Sequence, residues 1–248
     1  MKALITGASS GIGKAIAVEL SHRGFELILV ARNIQKLNDL KQQIQTNAKV
    51  ISMDISKEEN CYQLYQNHRD IDILINDAGL GDCGYFDQTS LKRDMQIIQT
   101  NIVGLHVLTK LYLADMKARD HGIILNVASI GGFMPGPLMA TYYASKAYVV
   151  KLSEAIREEL KREKSHVQIS LLCPGPVNTH FHQVAHVAFS LDGLSSEYVA
   201  KITVKQLFKG KFYIIPGWSI KLARLAVKIA PISLVSYVVY RIQKQKIK

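Results

Sequence analysis

The sequence predicts an α/β fold, a doubly wound parallel sheet in a single domain. Seven short apolar runs alternate with longer stretches of helical periodicity, which is typical of repeated strand–helix units. Several runs are apolar on both faces, as expected of strands that lie between two helix layers. The runs cover residues 3–5, 27–30, 50–53, 71–75, 123–127, 168–172 and 212–215.

Length and composition indicate one main folding unit. With 248 residues and 48% hydrophobic side chains, the chain can bury one large core, and it has no repeat or low-complexity linker. We expect one domain over residues 1–217 and a distinct segment over 218–248. The chain enters the first run directly from Met1, without a signal-peptide pattern, and its three cysteines form no motif. These features predict a cytoplasmic protein without structural disulfides or a metal site.

The net charge of +11 is concentrated in the last part of the chain. Glu197 is the last acidic residue, and eleven Lys and Arg residues follow it. The other 20 basic residues equal the 20 acidic ones in number. The basic pI therefore describes a basic tail, and we expect no nucleic-acid partner.

A glycine-rich turn follows the first run and opens a helix that extends to about His22. Glycines permit a tight turn and a close backbone approach to a pyrophosphate, and the helix N-terminus offers free N–H groups to that anion. Out of context, such a turn is also compatible with a plain loop. Between a strand and a helix it predicts a dinucleotide site, formed by Gly7, Ser9, Ser10, Gly11, Ile12 and Gly13.

The end of the second run indicates which dinucleotide binds. An acidic residue there would hydrogen-bond a ribose 2′-hydroxyl, whereas an Arg accommodates a 2′-phosphate. Arg32 occupies this place, and Ser9 is a second candidate contact. We therefore expect NADP(H) in preference to NAD(H).

Two further loops suit the cofactor. Asp54 and Ile55 follow the third run, where Asp54 either receives the adenine amino group or caps the next helix. Asn76, Ala78 and Gly79 belong to the Asn-Asp-Ala-Gly stretch at the end of the fourth run, and its Asn, Asp and Gly residues also favour plain turns.

Three side chains after the fifth run carry the predicted chemistry. Tyr142 and Lys146 are four residues apart, so they share one face of a helix. A phenol is a poor base at neutral pH, but a nearby ammonium favours the phenolate. Ser129 can then hold a substrate oxygen while Tyr142 transfers a proton.

The whole pattern resembles the short-chain dehydrogenase/reductase family over about residues 2–217. In that family TGxxxGxG, NNAG, a helical Asn, Ser, YxxxK and PG recur in this order. The resemblance implies a catalytic tetrad of Asn101, Ser129, Tyr142 and Lys146, with Asn101 holding a water that links Lys146 to solvent. It also implies that Lys146 binds the nicotinamide ribose and that the chain forms a homodimer or homotetramer. The segment that would wrap the nicotinamide contains Pro174, Gly175, Val177 and Thr179.

Two positions depart from the family pattern. Asp77 replaces the second Asn of NNAG, which puts one sheet-stabilising contact in doubt. Tyr143 stands beside Tyr142, but only Tyr142 has the four-residue spacing to Lys146. We therefore assign Tyr143 to packing or to the pocket wall.

The substrate is predicted to be a small apolar carbonyl compound or alcohol. Residues 176–198 should cover it, and they contain several large apolar side chains. Phe133 and Met134 after Ser129 are expected to add to the same pocket. His180, His182 and His186 in the cover do not have zinc-motif spacing.

The C-terminal segment leaves two alternatives open. Lys221, Arg224 and Lys228 share one helical face, and an apolar run over residues 232–240 follows that is too short to span a bilayer. The segment either lies on an anionic membrane surface or packs in a subunit interface.

The sequence thus predicts an NADP(H)-dependent oxidoreductase. The alternative is a dinucleotide-binding protein that senses redox state or acts as a scaffold without turnover, because a fold does not fix a function.

Overall fold

The computed structural model describes residues 1–179 and 193–245. A parallel sheet of seven strands has the order β3-β2-β1-β4-β5-β6-β9, and β7 pairs with β8 beside it. This arrangement confirms the predicted doubly wound fold. The strands are β1 Lys2–Thr6, β2 Glu26–Ala31, β3 Ala48–Ser52, β4 Ile73–Asn76, β5 Ile123–Val127, β6 Gln168–Leu172, β7 Val177–Asn178, β8 Leu194–Ser195 and β9 Tyr213–Ile214.

Helices connect the strands and cover both faces of the sheet. A π-helical turn, Gln99–Gly104, joins α4 to α5, and a 3₁₀ turn, Ile130–Phe133, follows β5. The α-helices are α1 Gly11–Ser21, α2 Ile34–Lys41, α3 Glu58–Asn67, α4 Leu91–Ile98, α5 Leu105–Ala118, α6 Ala140–Arg162, α7 Ser196–Leu207, α8 Trp218–Ile229 and α9 Ile232–Lys244.

The strand order reverses between β1 and β4. The chain passes from β1 outward to β2 and β3, then returns to place β4 on the other side of β1. The connections that leave the two central strands therefore diverge, and a crevice opens at their carboxyl ends. The glycine turn after β1 and the loop after β4 border this crevice.

Two apolar cores lie on opposite faces of the sheet. Ile5 and Leu29 contribute to the core under α1, α2 and α7, whereas Leu4 and Leu74 contribute to the core under α3, α5 and α6. Successive strand residues point to opposite faces, so runs that are apolar throughout bury both faces of the strands.

The continuous helical stretch Leu91–Ala118 comprises α4, the π-helical turn and α5. Within the described residues it is the one helix whose length and composition would allow it to cross a membrane, yet 44% of its most apolar window is buried inside the protein. Leu108 and Tyr112 of this stretch belong to the sheet core. Packing on the sheet therefore accounts for part of its apolar character.

Gly104 is the point at which this helix approaches the loop after β3. A Cβ atom at Gly104 would lie 2.4 Å from the carbonyl oxygen of Ile55. We expect Gly104→Ala to lower the free energy of unfolding by about 1–3 kcal/mol, because the backbone must move apart. Chemical denaturation measures the change, with Gln66→Ala on exposed α3 surface as control. Equal stability of the two variants would contradict this close approach.

Candidate functional site

One cavity of about 740 Å³ opens at the carboxyl ends of the strands. Ser129, Tyr142 and Lys146 line it, so the structure brings the predicted chemical groups and most predicted cofactor residues together. Gly13, Asn76 and Asn101 are outside its wall. The predicted cofactor residues that line it are Gly7, Ser9, Ser10, Gly11, Ile12, Arg32, Asp54, Ile55, Ala78, Gly79, Pro174, Gly175, Val177 and Thr179.

The glycine turn packs tightly against the loop after β4. Gly7 has φ +74°, and a Cβ there would lie 2.7 Å from the backbone nitrogen of Ala78. The Gly13 backbone N–H donates to the Asp77 carboxylate at 2.8 Å, and a Cβ on Gly13 would collide with that carboxylate. Gly13 therefore holds the turn in place while its neighbours face the cavity. Asp77 retains a contact between the two loops although it replaces Asn.

The opposite end of the cavity carries positive charge. Arg32 and Lys36 both line it, and within the described residues no carboxylate forms an ion pair with Arg32. The Asn33 side chain accepts from the Lys36 backbone N–H and caps α2, which positions both cations at the helix start. Sequence analysis missed Lys36, which lies one helical turn beyond Arg32.

Asp54 borders the cavity and does not cap α3. Its Oδ1 accepts from the Ser56 backbone N–H at 3.0 Å, which closes a local turn. The helix begins later, at Glu58, with Lys57 as its N-cap residue, so the adenine contact stays a prediction.

Asn76 differs from its predicted position on the cavity wall. Its side chain is buried and donates to Thr109 Oγ1 at 3.0 Å and to Asn126 Oδ1 at 2.9 Å. These bonds join β4 to β5 and α5 beneath the cavity. Asn76 therefore points to the α5 face of the sheet, as Leu74 does two residues earlier, because strand side chains alternate between the two faces.

The Ser, Tyr and Lys side chains converge as their spacing predicted. Tyr142 and Lys146 lie one turn apart on α6, and the Lys146 Nζ is 5.9 Å from the centre of the Tyr142 ring. The Ser129 side chain forms a hydrogen bond with the Tyr142 phenol. Lys146 Nζ donates to the Val127 carbonyl at 2.8 Å, which anchors the ammonium at the end of β5.

Asn101 lies in the π-helical turn and secures the loop that follows Gly79. Its Oδ1 accepts from the Leu80 backbone N–H at 2.8 Å, and its Nδ2 donates to the Leu80 carbonyl and to Ser145 Oγ. Ser145 in turn donates to the Tyr142 carbonyl at 2.6 Å. Asn101 therefore links the Gly79 loop to the helical turn that carries Tyr142.

Burial controls the ionisation of the three central groups. Burial lowers the pKa of Lys146 to about 8, against the opposing effect of the Asp77 carboxylate. Burial also raises the pKa of Asp77 to about 7, opposed by Lys146 and by the Gly13 N–H. The Tyr142 pKa is raised, chiefly by burial, and the Ser129 hydrogen bond opposes this shift. In each case a neighbouring group favours the charged form and so opposes the effect of burial on the pKa.

The remaining wall near Tyr142 is largely apolar. Leu80, Ile130, Met139 and Tyr143 line it. The expectation that Phe133 adds to this wall is wrong, and that for Met134 stays a prediction. Phe133 packs instead against Tyr213 and beneath the Arg224 guanidinium, because the 3₁₀ turn after Ser129 directs its ring away from the cavity.

Gln243 of α9 is a cavity residue that sequence analysis missed. It is 3% exposed, and its Nε2 donates to the Tyr143 hydroxyl at 2.6 Å. A sequence motif could not have indicated this contact, since 100 residues separate Gln243 from Tyr143. Of the predicted cover, residues 180–192 lie outside the described part of the chain, and with them the three histidines and most of the apolar side chains assigned to it.

The fold and the site together define a nucleotide-binding α/β oxidoreductase. A sequence profile described as short chain dehydrogenase matches residues 1–186. The chain belongs to the short chain dehydrogenase family.

Similar proteins include several oxidoreductases. An uncharacterized oxidoreductase of Staphylococcus epidermidis is 37% identical over 182 residues, covering 71% of this chain and 78% of the relative. A very-long-chain 3-oxoacyl-CoA reductase of Coccidioides immitis is 39% identical over 179 residues, covering 67% of this chain but only 51% of that reductase. A 17-beta-hydroxysteroid dehydrogenase type 3 of Rattus norvegicus is 31% identical over 214 residues, covering 82% and 69%.

Solved structures share the fold over most of the chain. A short-chain dehydrogenase from Sphingobium yanoikuyae in complex with NADPH has a TM-score of 0.81 and 25% identity, covering 92% of this chain and 94% of that one. A short chain dehydrogenase/reductase from Burkholderia phymatum in complex with NAD has a TM-score of 0.83 and 24% identity, covering 90% and 91%. Solved structures with this fold thus include complexes with NADPH and with NAD.

The buried Asp77 predicts a pH-dependent stability. Its pKa is about 7 in the folded protein and near 3.8 when unfolded, so the folded state holds the proton more tightly and loses stability as pH rises between these values. Asp77→Asn keeps an acceptor for Gly13 and removes this penalty. We expect the variant to gain thermal stability over the native protein at about pH 8 and to gain less at about pH 4.5.

Thermal unfolding at the two pH values measures this difference. The control is Asp87→Asn, which replaces an exposed carboxylate far along the chain from the glycine turn. A stability gain for Asp77→Asn that does not change with pH would contradict a buried titrating carboxyl group.

Proposed function

We propose that the protein transfers a hydride between NADP(H) and the carbonyl or secondary alcohol group of an apolar substrate. The observation that carries this proposal is the convergence of Ser129, Tyr142 and Lys146 in the same cavity as the glycine turn. The family to which the chain belongs consists of dehydrogenases. A solved structure at 25% identity contains NADPH, which is consistent with the cofactor proposed here.

The cavity residues fit a dinucleotide. Gly7 and Gly11 have positive φ and expose backbone at the start of α1, where a pyrophosphate would lie against free N–H groups. Arg32, Lys36 and Ser9 would bind the 2′-phosphate, and no acidic residue stands at the end of β2 to favour a free 2′-hydroxyl. When bound, the nicotinamide supplies or accepts the hydride.

The proposed chemistry of the chain is proton transfer at the substrate oxygen. In reduction, the Tyr142 phenol donates its proton to the carbonyl oxygen, and Ser129 Oγ holds that oxygen by a hydrogen bond. The nearby Lys146 ammonium stabilises the phenolate that remains. Lys146 would also bind the cofactor ribose.

Asn101 completes the proposed tetrad as a residue that holds water. Lys146 Nζ and Asn101 Oδ1 lie 3.4 Å and 3.5 Å from the position that a Cβ on Gly79 would occupy. Gly79 has no side chain that would separate these two atoms, so a water bound between them would contact both. We infer that such a water returns a proton to Tyr142 by way of Lys146.

The proposed substrate is apolar. Leu80, Met139 and Tyr143 beside Tyr142 support it. Relatives named for 3-oxoacyl-CoA and steroid substrates act on compounds with a large apolar part. For this chain we propose the substrate class alone, with reduction as the favoured direction because cells keep the NADP pool reduced.

We propose a catalytic domain over residues 1–217, a substrate cover over 176–198 and a C-terminal segment over 218–248. We further propose that the protein is cytoplasmic and forms a homodimer or homotetramer.

Tyr142→Phe tests the chemistry. The change removes the proton donor and keeps the ring, so NADPH-dependent reduction of apolar ketones should fall by about 10²–10⁴-fold. Absorbance at 340 nm measures NADPH oxidation. Tyr148→Phe on the same helix, outside the cavity, is the matched control. Undiminished activity of Tyr142→Phe would refute the assignment, and NADPH binding without turnover of any ketone by the native protein would favour the non-catalytic binding protein.

Arg32→Ala tests the cofactor preference. A hydrogen bond to a charged group contributes about 1.5–3 kcal/mol, so the KM for NADPH should rise about 10- to 100-fold while that for NADH changes little. Steady-state kinetics with both cofactors measure the change. Lys41→Ala at the end of α2 removes a positive charge outside the cavity and serves as control. An equal rise for both cofactors would argue against a 2′-phosphate contact.

A further inference from the structure

The outer surface of α8 and α9 is unusually apolar. Trp218, Leu222, Leu225 and Ile229 recur at helical spacing on α8, and their exposed fractions are 76%, 56%, 59% and 82%. The outer face of α9 continues this surface with Ile232, Leu234, Tyr237, Val238 and Ile242. Contiguous exposed apolar surface of this kind marks an interaction site.

The opposite face of α9 is bound to the body of the protein. Val235, Val239 and Gln243 are buried at intervals of four residues, and Gln243 contacts Tyr143 in the wall of the active-site cavity. The Tyr240 hydroxyl also bonds the Tyr85 hydroxyl at 3.0 Å. These contacts fix the orientation of α9. Its inner face contributes to one wall of the cavity, and its apolar outer face points away from the cavity.

A basic groove lies beside this apolar surface. It has a volume of about 750 Å³ and is formed by α7, α8 and the end of the sheet. The Arg224 guanidinium is stacked over the Tyr213 ring at 3.7 Å, and its buried Nε has no hydrogen-bond partner among the described residues. The basic side chains that line the groove are Lys205, Lys209, Lys211, Lys221, Arg224 and Lys228.

The part of the chain that carries the basic side chains of the groove, from Lys205 to Lys228, contains no acidic residue. Glu197 is the last acidic residue in the sequence. Glu154 lies near Arg224, but its carboxylate binds Lys151 and the Tyr213 hydroxyl. The groove therefore presents concentrated positive charge, and phosphate is the chemical group that this charge would bind.

We propose that α8 and α9 dock the protein on an anionic phospholipid surface, with the apolar side chains inserted among the lipids and the groove on a lipid phosphate. Apolar burial and attraction to anionic headgroups together drive such binding. A second copy of the chain suits this surface less well. A symmetric contact would bring the same patch of each subunit together, and like charges would then face each other.

This docking would bring the α9 wall of the cavity next to the membrane. It rests on the proposed function in one respect: an apolar substrate dissolved in the lipid would have a short path to Tyr142. The docking itself depends only on the surface residues, so it can be tested without turnover.

Flotation of the full chain with vesicles tests the proposal. We expect at least about tenfold tighter binding to phosphatidylcholine vesicles containing about 30% phosphatidylglycerol than to phosphatidylcholine alone, and loss of the difference at about 1 M salt. Lys221→Gln with Lys228→Gln should weaken binding at least about tenfold, because each lysine near an anionic surface contributes about fivefold. Leu222→Ser with Ile229→Ser should also weaken it.

Matched controls distinguish binding through this surface from binding that depends on the net charge of the protein. Lys41→Gln with Lys110→Gln removes the same charge from exposed positions elsewhere, and Leu91→Ser replaces an exposed leucine outside the segment. Both should bind vesicles as the native protein does. Equal binding to the two vesicle types, no binding to either, or equal weakening by the two lysine pairs would overturn the proposal.

Two further measurements test whether a second copy of the chain occupies this surface, and whether the docking fails independently of the proposed function. A concentration-dependent dimer in sedimentation that Leu222→Ser with Ile229→Ser abolishes would assign the surface to a second copy and overturn the lipid proposal. NADPH oxidation with a water-soluble ketone, measured without vesicles, reports on the proposed function alone. Turnover without vesicle binding would therefore refute the docking and leave the enzymatic proposal intact.

Discussion

The tight approach of the glycine turn to the loop after β4 is the constraint on which the rest of the site depends. Gly7 and Gly13 leave room that a Cβ would fill, and Asp77 accepts the Gly13 N–H across that gap. This contact holds the carboxyl ends of β1 and β4 together at the point where the strand order reverses. The crevice and the exposed start of α1 both follow from it.

The same carboxylate also affects the chemistry. Asp77 opposes the effect of burial on Lys146, and Lys146 opposes the effect of burial on Asp77. With an amide at position 77 the structural contact would remain, but the ammonium would lose its compensating charge. The departure from the family's NNAG motif therefore changes the electrostatics of Lys146 more than the packing of the sheet.

The cavity is completed by a part of the chain with no recognised motif. Gln243 on α9 contacts Tyr143, so the C-terminal helix supports the wall beside Tyr142 on one face and exposes apolar side chains on the other. One helix thus connects the proposed reaction site with the proposed membrane surface. The described residues of this segment, 218–245, therefore contribute to the cavity wall as well as to the outer surface.

The seven strands of the main sheet, the glycine turn and the Tyr142–Lys146 pair could be predicted from the sequence, because period, turn chemistry and helical spacing are local properties. The packed structure was needed to show that Asn76 joins two strands beneath the cavity, that Phe133 turns towards Tyr213 and that Gln243 reaches Tyr143. It also decided the pKa shifts of Asp77 and Lys146. These features depend on burial and on partners distant in the chain, which become neighbours only when the sheet and its helices pack together.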